Sequence, residues 1–360
     1  MIRIRSDYAG GNIAVVSIEP SRVLLEQELR DSVNWWFYWN FCVQCDEPGE
    51  FVFDFANGEV LGPWGPAYSY DGISWAWLGE RSLRSRESFV YRFTADRPEV
   101  YFAFSLPYQL HHLERFYRRY HTHPLVRRDI LCRSEGNREV PLFMLGRTDA
   151  PRSILLSGRH HACESTANYL AEGLLNRMIE RHVATGVLDR VCLHYIPFVD
   201  IDGVENGDQG KGRAPHDHNR DYTDRPIYET TRAMMRFVSA LQPDIGIDLH
   251  CPFKWGDRHD HVFFVKTGTA ADRRIERFGR TLQRLTQMYD PVHDIEKGED
   301  WNQPSPTCAA FMLSRNVPMA FSMEIPYFGL ADRRVTTDSL RELGGCVAEA
   351  LELHIEEMSE

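Results

Sequence analysis

The sequence has no apolar run of about 18 residues, which excludes a helical membrane span on length alone. Its opening, MIRIRSDYAGGNIAVVSIEP, lacks an apolar block long enough for a secretory signal. Positive charge is in deficit: the formal net charge is −11, so whole-chain attraction to nucleic acid or to an anionic membrane is not expected. Cysteine is sparse, eight in 360 residues, which excludes a disulfide-dense scaffold. The thiols sit mostly inside apolar runs, as reduced small hydrophobes do, and with the missing signal this predicts a cytoplasmic protein. Cys42 and Cys45 form a single CxxC with no second pair, so neither a structural zinc site nor a redox motif is expected there. Internal repeats and low-complexity tracts are also missing.

What is present divides in two, as the length allows at roughly 150 residues per domain. Up to residue 108 the chain is a succession of short aromatic and β-branched segments, such as EFVFDFAN and SFVYRFTA, punctuated by Pro, Gly, Asn and Asp. That pattern predicts an antiparallel β-sandwich, with Trp35, Trp36 and Trp39 in its core. Over 109–360 strands such as SILLSG, RVCLHYIPFV, DIGIDLH, HVFFVK and MAFSMEI alternate with amphipathic stretches. The clearest helices are expected at 165–182, 227–241, 270–288 and 339–358, which predicts an α/β domain with a mixed, largely parallel sheet flanked by helices. In such sheets the ligand site lies beyond the carboxyl ends of the strands.

Those ends are rich in chemistry. SILLSG runs into Arg159, His160, His161, Ala162, Cys163 and Glu164. His161 and Glu164, three apart, can aim at one point, and DIGIDLH ends in a second imidazole, His250. Two histidines and a carboxylate with an open fourth position make a catalytic zinc site. His160 is expected to face away and be structural. Beyond a polar, glycine-rich loop, Asn219 and Arg220 can hold a carboxylate, and Asp217 can take the second N–H of a ligand histidine. Glu324, a lone carboxylate in the apolar strand MAFSMEI, is a candidate general base.

The ordered set R-x-H-x-x-E, D-x-N-R, a strand-terminal His and a strand-borne Glu resembles the zinc metallocarboxypeptidases, and the aromatic N-terminal module looks like their cytosolic carboxypeptidase branch. The motifs span 159–329. The resemblance implies Zn2+ on His161, Glu164 and His250, with Asp217 behind them and the substrate's terminal carboxylate on Asn219 and Arg220. It implies Glu324 as general base and acid, and an oxyanion-stabilising cation for which Arg213 is the first candidate and Lys211 the second. Arg159 matches the motif arginine and supports the site. The implied substrate is the C-terminus of a peptide or protein.

Two further departures stand out. Ala162 and Cys163 occupy the positions where the branch commonly has Pro-Gly, and burial is the expected role of the thiol. The interval 290–323 holds no tyrosine, only Trp301, which leaves Tyr327 as the candidate to reach into the site. For the glutamate-removing branch a pocket cation is implied, with Lys254, Arg258 and Lys266 as candidates. Two other readings stay open: an N-acyl amino acid deacylase of the aspartoacylase or desuccinylase type, and a zinc-dead module that binds peptide C-termini.

Overall fold

The computed structural model describes residues 2–32 and 37–358, so Trp35 and Trp36 lie outside the described residues. The first part of the chain builds two five-stranded sheets. One has the order β1-β4-β10-β6-β7, from β1 (Ile2–Arg5), β4 (Asn40–Cys45), β6 (Ala67–Ser69), β7 (Ala76–Trp77) and β10 (Glu99–Ala103). The other has the order β2-β3-β5-β9-β8, from β2 (Ala14–Glu19), β3 (Arg22–Glu26), β5 (Gly49–Phe55), β8 (Leu83–Ser85) and β9 (Ser88–Phe93). All pairings are antiparallel except β3 with β5, which run parallel.

Alternation along the strands sends aromatic side chains into one shared core. Phe53 stacks on Phe89 at 4.9 Å between centroids, and Phe102 meets both Phe41 and Phe89. Trp39 is fully buried, as its sequence context predicts, and its indole N–H donates to the Val60 carbonyl at 3.0 Å. Cys42 and Cys45 lie three apart on β4, which turns their side chains to opposite faces, and all eight cysteines are free.

The rest of the chain forms the seven-stranded sheet. After α1 (Leu110–Tyr120) come β11 (Val126–Arg133), β12 (Glu139–Leu145), β13 (Arg152–Gly158), α2 (Thr166–Thr185), the short turn α3 (Val187–Arg190), β14 (Val191–Ile196) and another short turn, α4 (Ile201–Asn206). Then follow α5 (Glu229–Leu241), β15 (Ile245–His250), β16 (Phe263–Val265), α6 (Asp272–Leu285), α7 (Cys308–Ser314), β17 (Met319–Glu324) and α8 (Thr337–Glu357). The order is β11-β12-β14-β13-β15-β17-β16. The central four, β14, β13, β15 and β17, are parallel, with antiparallel strands at both edges.

β14, β15 and β17 are buried along their whole length, which is why they read as unbroken apolar runs. The four expected helices form as α2, α5, α6 and α8, the last started by a reciprocal cap between Thr336 and Ser339. Among the described residues no helix is long and apolar enough to cross a membrane. The two sheets of the first part pack directly on the second. Trp64 and Trp77 donate their indole N–H groups to the carbonyls of Phe328 and Val335, at 2.9 and 2.6 Å.

Candidate active site

β13 ends at Gly158, and Arg159 then adopts a left-handed conformation, φ 59°, that turns the chain off the sheet. Its guanidinium is buried and closes the following loop on itself. Nε donates to the Ala162 carbonyl at 2.9 Å, and Nη1 donates to the Tyr108 carbonyl at 2.6 Å and to Asn168 Oδ1 at 3.0 Å. Arg159 thus holds the loop that presents His161 and Glu164 just before α2 begins. His250 arrives from the neighbouring strand end.

The three side chains converge. His161 Nδ1 lies 2.8 Å from Glu164 Oε1, and His250 Nδ1 lies 2.8 Å from Glu164 Oε2. One ligand atom from each falls within 4.8 Å of the other two. The far nitrogens have partners of their own: His161 Nε2 is 3.5 Å from Asp217 Oδ1, and His250 Nε2 is 2.7 Å from Asp248 Oδ2. Two imidazoles offering Nδ1, a carboxylate between them, and acids behind both rings form the donor set that zinc takes in hydrolytic sites, so these residues fit the metal.

The electrostatics follow from that packing. Burial works against ionising Glu164, but Lys211, His161 and His250 hold its carboxyl well below the usual range. Burial likewise opposes charge on His161 and His250, and the acids around them outweigh it in both cases. Asp217 stays ionised against its burial through His161 and Arg220.

A second buried group, His160, Asp248 and His250, also brings potential ligand atoms together. His160, however, is engaged between Asp248 Oδ1 at 2.9 Å and the Tyr222 hydroxyl at 2.8 Å and does not border the cleft. It packs the far side of His250.

Glu324 stands beside this centre. Its register partner across the parallel pair β15–β17 is His250, and the Ile325 amide donates to the His250 carbonyl at 2.8 Å. Glu324 Oε2 is buried without a hydrogen-bond partner. Burial, countered by His250 and reinforced by Glu164, pushes its carboxyl up to about 7.

The centre opens into a cleft of about 950 Å³ bordered by Arg220, Lys211 and Glu324 on the catalytic side and by 300–305 on the opposite wall. Arg220 borders it and donates to the Asn219 carbonyl at 3.1 Å. Asn219 is braced more tightly. Its Oδ1 accepts from the Cys308 amide at 2.9 Å, and its Nδ2 lies 3.1 Å from His250 Nε2.

Several expectations need correction. Arg213 does not reach the cleft. Its guanidinium is enclosed by Asp31, Asp200 and Asp208, at 3.2, 2.8 and 3.3 Å. Of the two candidates, the one that does border it is Lys211, whose Nζ sits 2.9 Å from Glu164 Oε1 and donates to the carbonyls of Cys251 and Pro252 at 2.7 and 3.0 Å.

Tyr327 does not reach in either: it is fully buried, and its hydroxyl lies 3.4 Å from Cys163 Sγ. Cys163 is a buried thiol, as expected, and burial raises its pKa to about 12. The three pocket cations are each occupied elsewhere. Lys254 donates to the Glu59 carbonyl, Arg258 to Glu299, and Lys266, at the cleft margin, holds Glu276 and Glu296. Asp248 is a residue that motif reading missed, although its position two before His250 on one strand puts both side chains on the same face.

No family model matches the chain. An uncharacterized protein of Zymomonas mobilis is 22% identical, the match covering 91% of this chain and 88% of that one. Cytosolic carboxypeptidase 2 of Danio rerio is 24% identical over 193 residues, 49% of this chain and 26% of the longer relative. Among solved structures, a metallo-carboxypeptidase from Burkholderia cenocepacia superposes with a TM-score of 0.82 over 99% of both chains at 18% identity. One from Pseudomonas aeruginosa, in complex with (2-guanidinoethylmercapto)succinic acid, gives 0.83 over 99% of this chain and all of that one at 20% identity. The chain therefore has the metallo-carboxypeptidase fold, β-module included. A carboxypeptidase A of Helicoverpa armigera aligns over 69% of this chain and 73% of that one, with a TM-score of 0.55 at 9% identity.

Proposed function

We propose that the chain is a zinc-dependent metallocarboxypeptidase that removes residues from peptide or protein C-termini. The observation that carries this reading is the convergence of His161, Glu164 and His250 with the unpartnered carboxylate of Glu324 beside them. Zinc held by the three ligands supplies an acidified water and polarises the scissile carbonyl. Glu324, kept from full ionisation by burial, takes the proton of the attacking water and delivers it to the leaving amine. Lys211 faces the charge that develops on the carbonyl oxygen, replacing the expected Arg213, and a preorganised donor of this kind contributes about 3 kcal/mol. Arg220 binds the terminal carboxylate and so limits cleavage to the last residue. Asn219, locked by the Cys308 amide, fixes the backbone from which Arg220 projects.

A whole-length likeness to metallo-carboxypeptidases and a cleft of about 950 Å³ favour peptides over the small acylated amino acids that a deacylase takes. Retention of Glu324 disfavours a module that only binds, since binding a C-terminus needs no general base. The test is zinc quantitation on the purified chain with mass-spectrometric profiling of a peptide library and a panel of N-acyl amino acids. The expected result is bound zinc and loss of single C-terminal residues. Turnover of the acyl amino acids alone, or a metal-free chain with no turnover, overturns the proposal.

A further inference from the structure

The loop that follows α4 carries Lys211, and its restraints come from an unexpected direction. It has almost no regular structure of its own, yet it is tied at successive points to the N-terminal β-module. Asn12 Nδ2 donates to the Gly207 carbonyl at 2.8 Å, and the Gln209 side chain accepts the amides of Phe37 and Tyr38 at 3.2 and 3.0 Å.

The tightest tie is Asp31. One carboxylate oxygen accepts the Gln209 amide at 3.1 Å; the other accepts the Gly210 amide at 2.8 Å and Arg213 Nε at 3.2 Å. A single side chain thus clamps the residues on both sides of Lys211. The clamp presses the loop against the metal-ligand segment. The Gln209 carbonyl accepts the Cys163 amide at 3.1 Å. Gly210, at φ 78°, runs so close that a Cβ there would stand 2.2 Å from the Ala162 amide nitrogen. Lys211 then has one direction left, towards Glu164 and the Cys251 and Pro252 carbonyls.

We propose that Asp31 is a positioning residue for Lys211, and that the N-terminal module contributes to catalysis by holding the oxyanion cation in place. This rests on the reading of Lys211 given above. A lysine faces a larger ordering problem than a guanidinium in the same role, because its ammonium lacks the preorganised planar fork that lets arginine lose less freedom per hydrogen bond. Fixing its backbone on both sides confines that freedom before substrate arrives. The three carboxylates around Arg213 serve the same end, since Arg213 anchors the loop two residues beyond Lys211 rather than serving the reaction.

The test uses the full chain with Asp31→Asn, and with Asp31→Glu, which keeps the ion pair to Arg213 and secures a folded variant if the first loses stability. The substrates are N-acetyl-Ala-Ala-Xaa peptides with every coded residue at Xaa. With the best of these, kcat should fall by about tenfold to a hundredfold while KM stays within about twofold. By calorimetry, binding of the matching phosphinic peptide, a tetrahedral mimic, should weaken by about tenfold, with zinc affinity and binding of the free product unchanged.

In a Lys211→Ala background the same Asp31 substitutions should cost less than about threefold. Equal losses in both backgrounds, or a shift in zinc affinity, overturn the positioning role. If Lys211→Ala alone leaves kcat unchanged, it is the assignment of Lys211 that fails, and the two failures are told apart by that single variant.

Discussion

His250 and Glu324 are register partners at the carboxyl ends of adjacent parallel strands, so the candidate metal-ligand imidazole and the candidate base are placed by one β-ladder. Their spacing is set by backbone hydrogen bonds rather than by side-chain contacts. The Glu324 carboxylate therefore needs no partner of its own to stay in position, and Oε2 is left free for a proton.

From this arrangement, Glu324→Gln should leave zinc stoichiometry intact and lower kcat/KM by about a thousandfold, within the range for loss of a general base. Peptide turnover measured alongside metal analysis checks it. Near-normal turnover in the zinc-loaded variant would remove Glu324 from the chemistry.

Lys211 and Arg213 should separate cleanly in mutagenesis. Lys211→Ala should lower kcat by about a hundredfold or more with little effect on the melting temperature. Arg213→Ala should act mainly on stability, at a cost of about 3 kcal/mol, because it strands Asp31, Asp200 and Asp208 together, with a smaller fall in kcat through the loosened loop. Thermal melts and single-substrate kinetics on both variants decide the matter.

Arg220→Ala should raise KM for peptides with a free terminal carboxylate by about tenfold to a hundredfold, as expected for losing a charge-assisted pair. The same peptides as C-terminal amides should show no further loss. A matched pair of free and amidated substrates gives the answer, and equal losses on both would take the carboxylate contact away from Arg220.

Stability should fall in mild acid through His112. Burial depresses its pKa to about 3, and in place its Nδ1 accepts the Gln109 amide at 3.1 Å. With the folded value below the unfolded one, near 6.5, the unfolded chain binds the extra proton across that window. Stability is thus fully present above 6.5 and drains away as the pH drops towards 3. The loss from pH 7 to pH 5 amounts to about 2 kcal/mol from this residue. Unfolding free energies from urea titrations at the two pH values should converge by that amount in His112→Leu relative to the parent chain.

How much of this was legible beforehand varies with the range of the interaction. The helices α2, α5, α6 and α8 and the buried parallel strands were readable because period and burial are local properties. The β11–β12 hairpin was not singled out: VRRDILCR is an exposed edge strand whose charges mask its alternation. Glu324 was readable because a bare carboxylate in an apolar strand needs a reason. That Lys211 rather than Arg213 borders the cleft was not, since Arg213 is drawn away in part by Asp31, 182 positions before it in sequence. Lys254, Arg258 and Lys266 failed as pocket cations for the same reason: each finds its partner on a different element, in Glu59, Glu299 and the pair Glu276 and Glu296.

The cleft wall at 300–305 runs between two anchors and is pinned in its middle by Asn302, whose Nδ2 donates to the carbonyls of Lys266 and Glu296 at 2.8 and 3.1 Å. Asp294, before it, accepts the Phe264 amide at 2.8 Å and the Tyr289 hydroxyl at 3.0 Å. Cys308, after it, donates its amide to Asn219. Neither anchor depends on the identity of the residues strung between them. Substitutions on either side of Asn302 should therefore reshape this wall of the cleft while His250 and Glu324 stay where their strands put them.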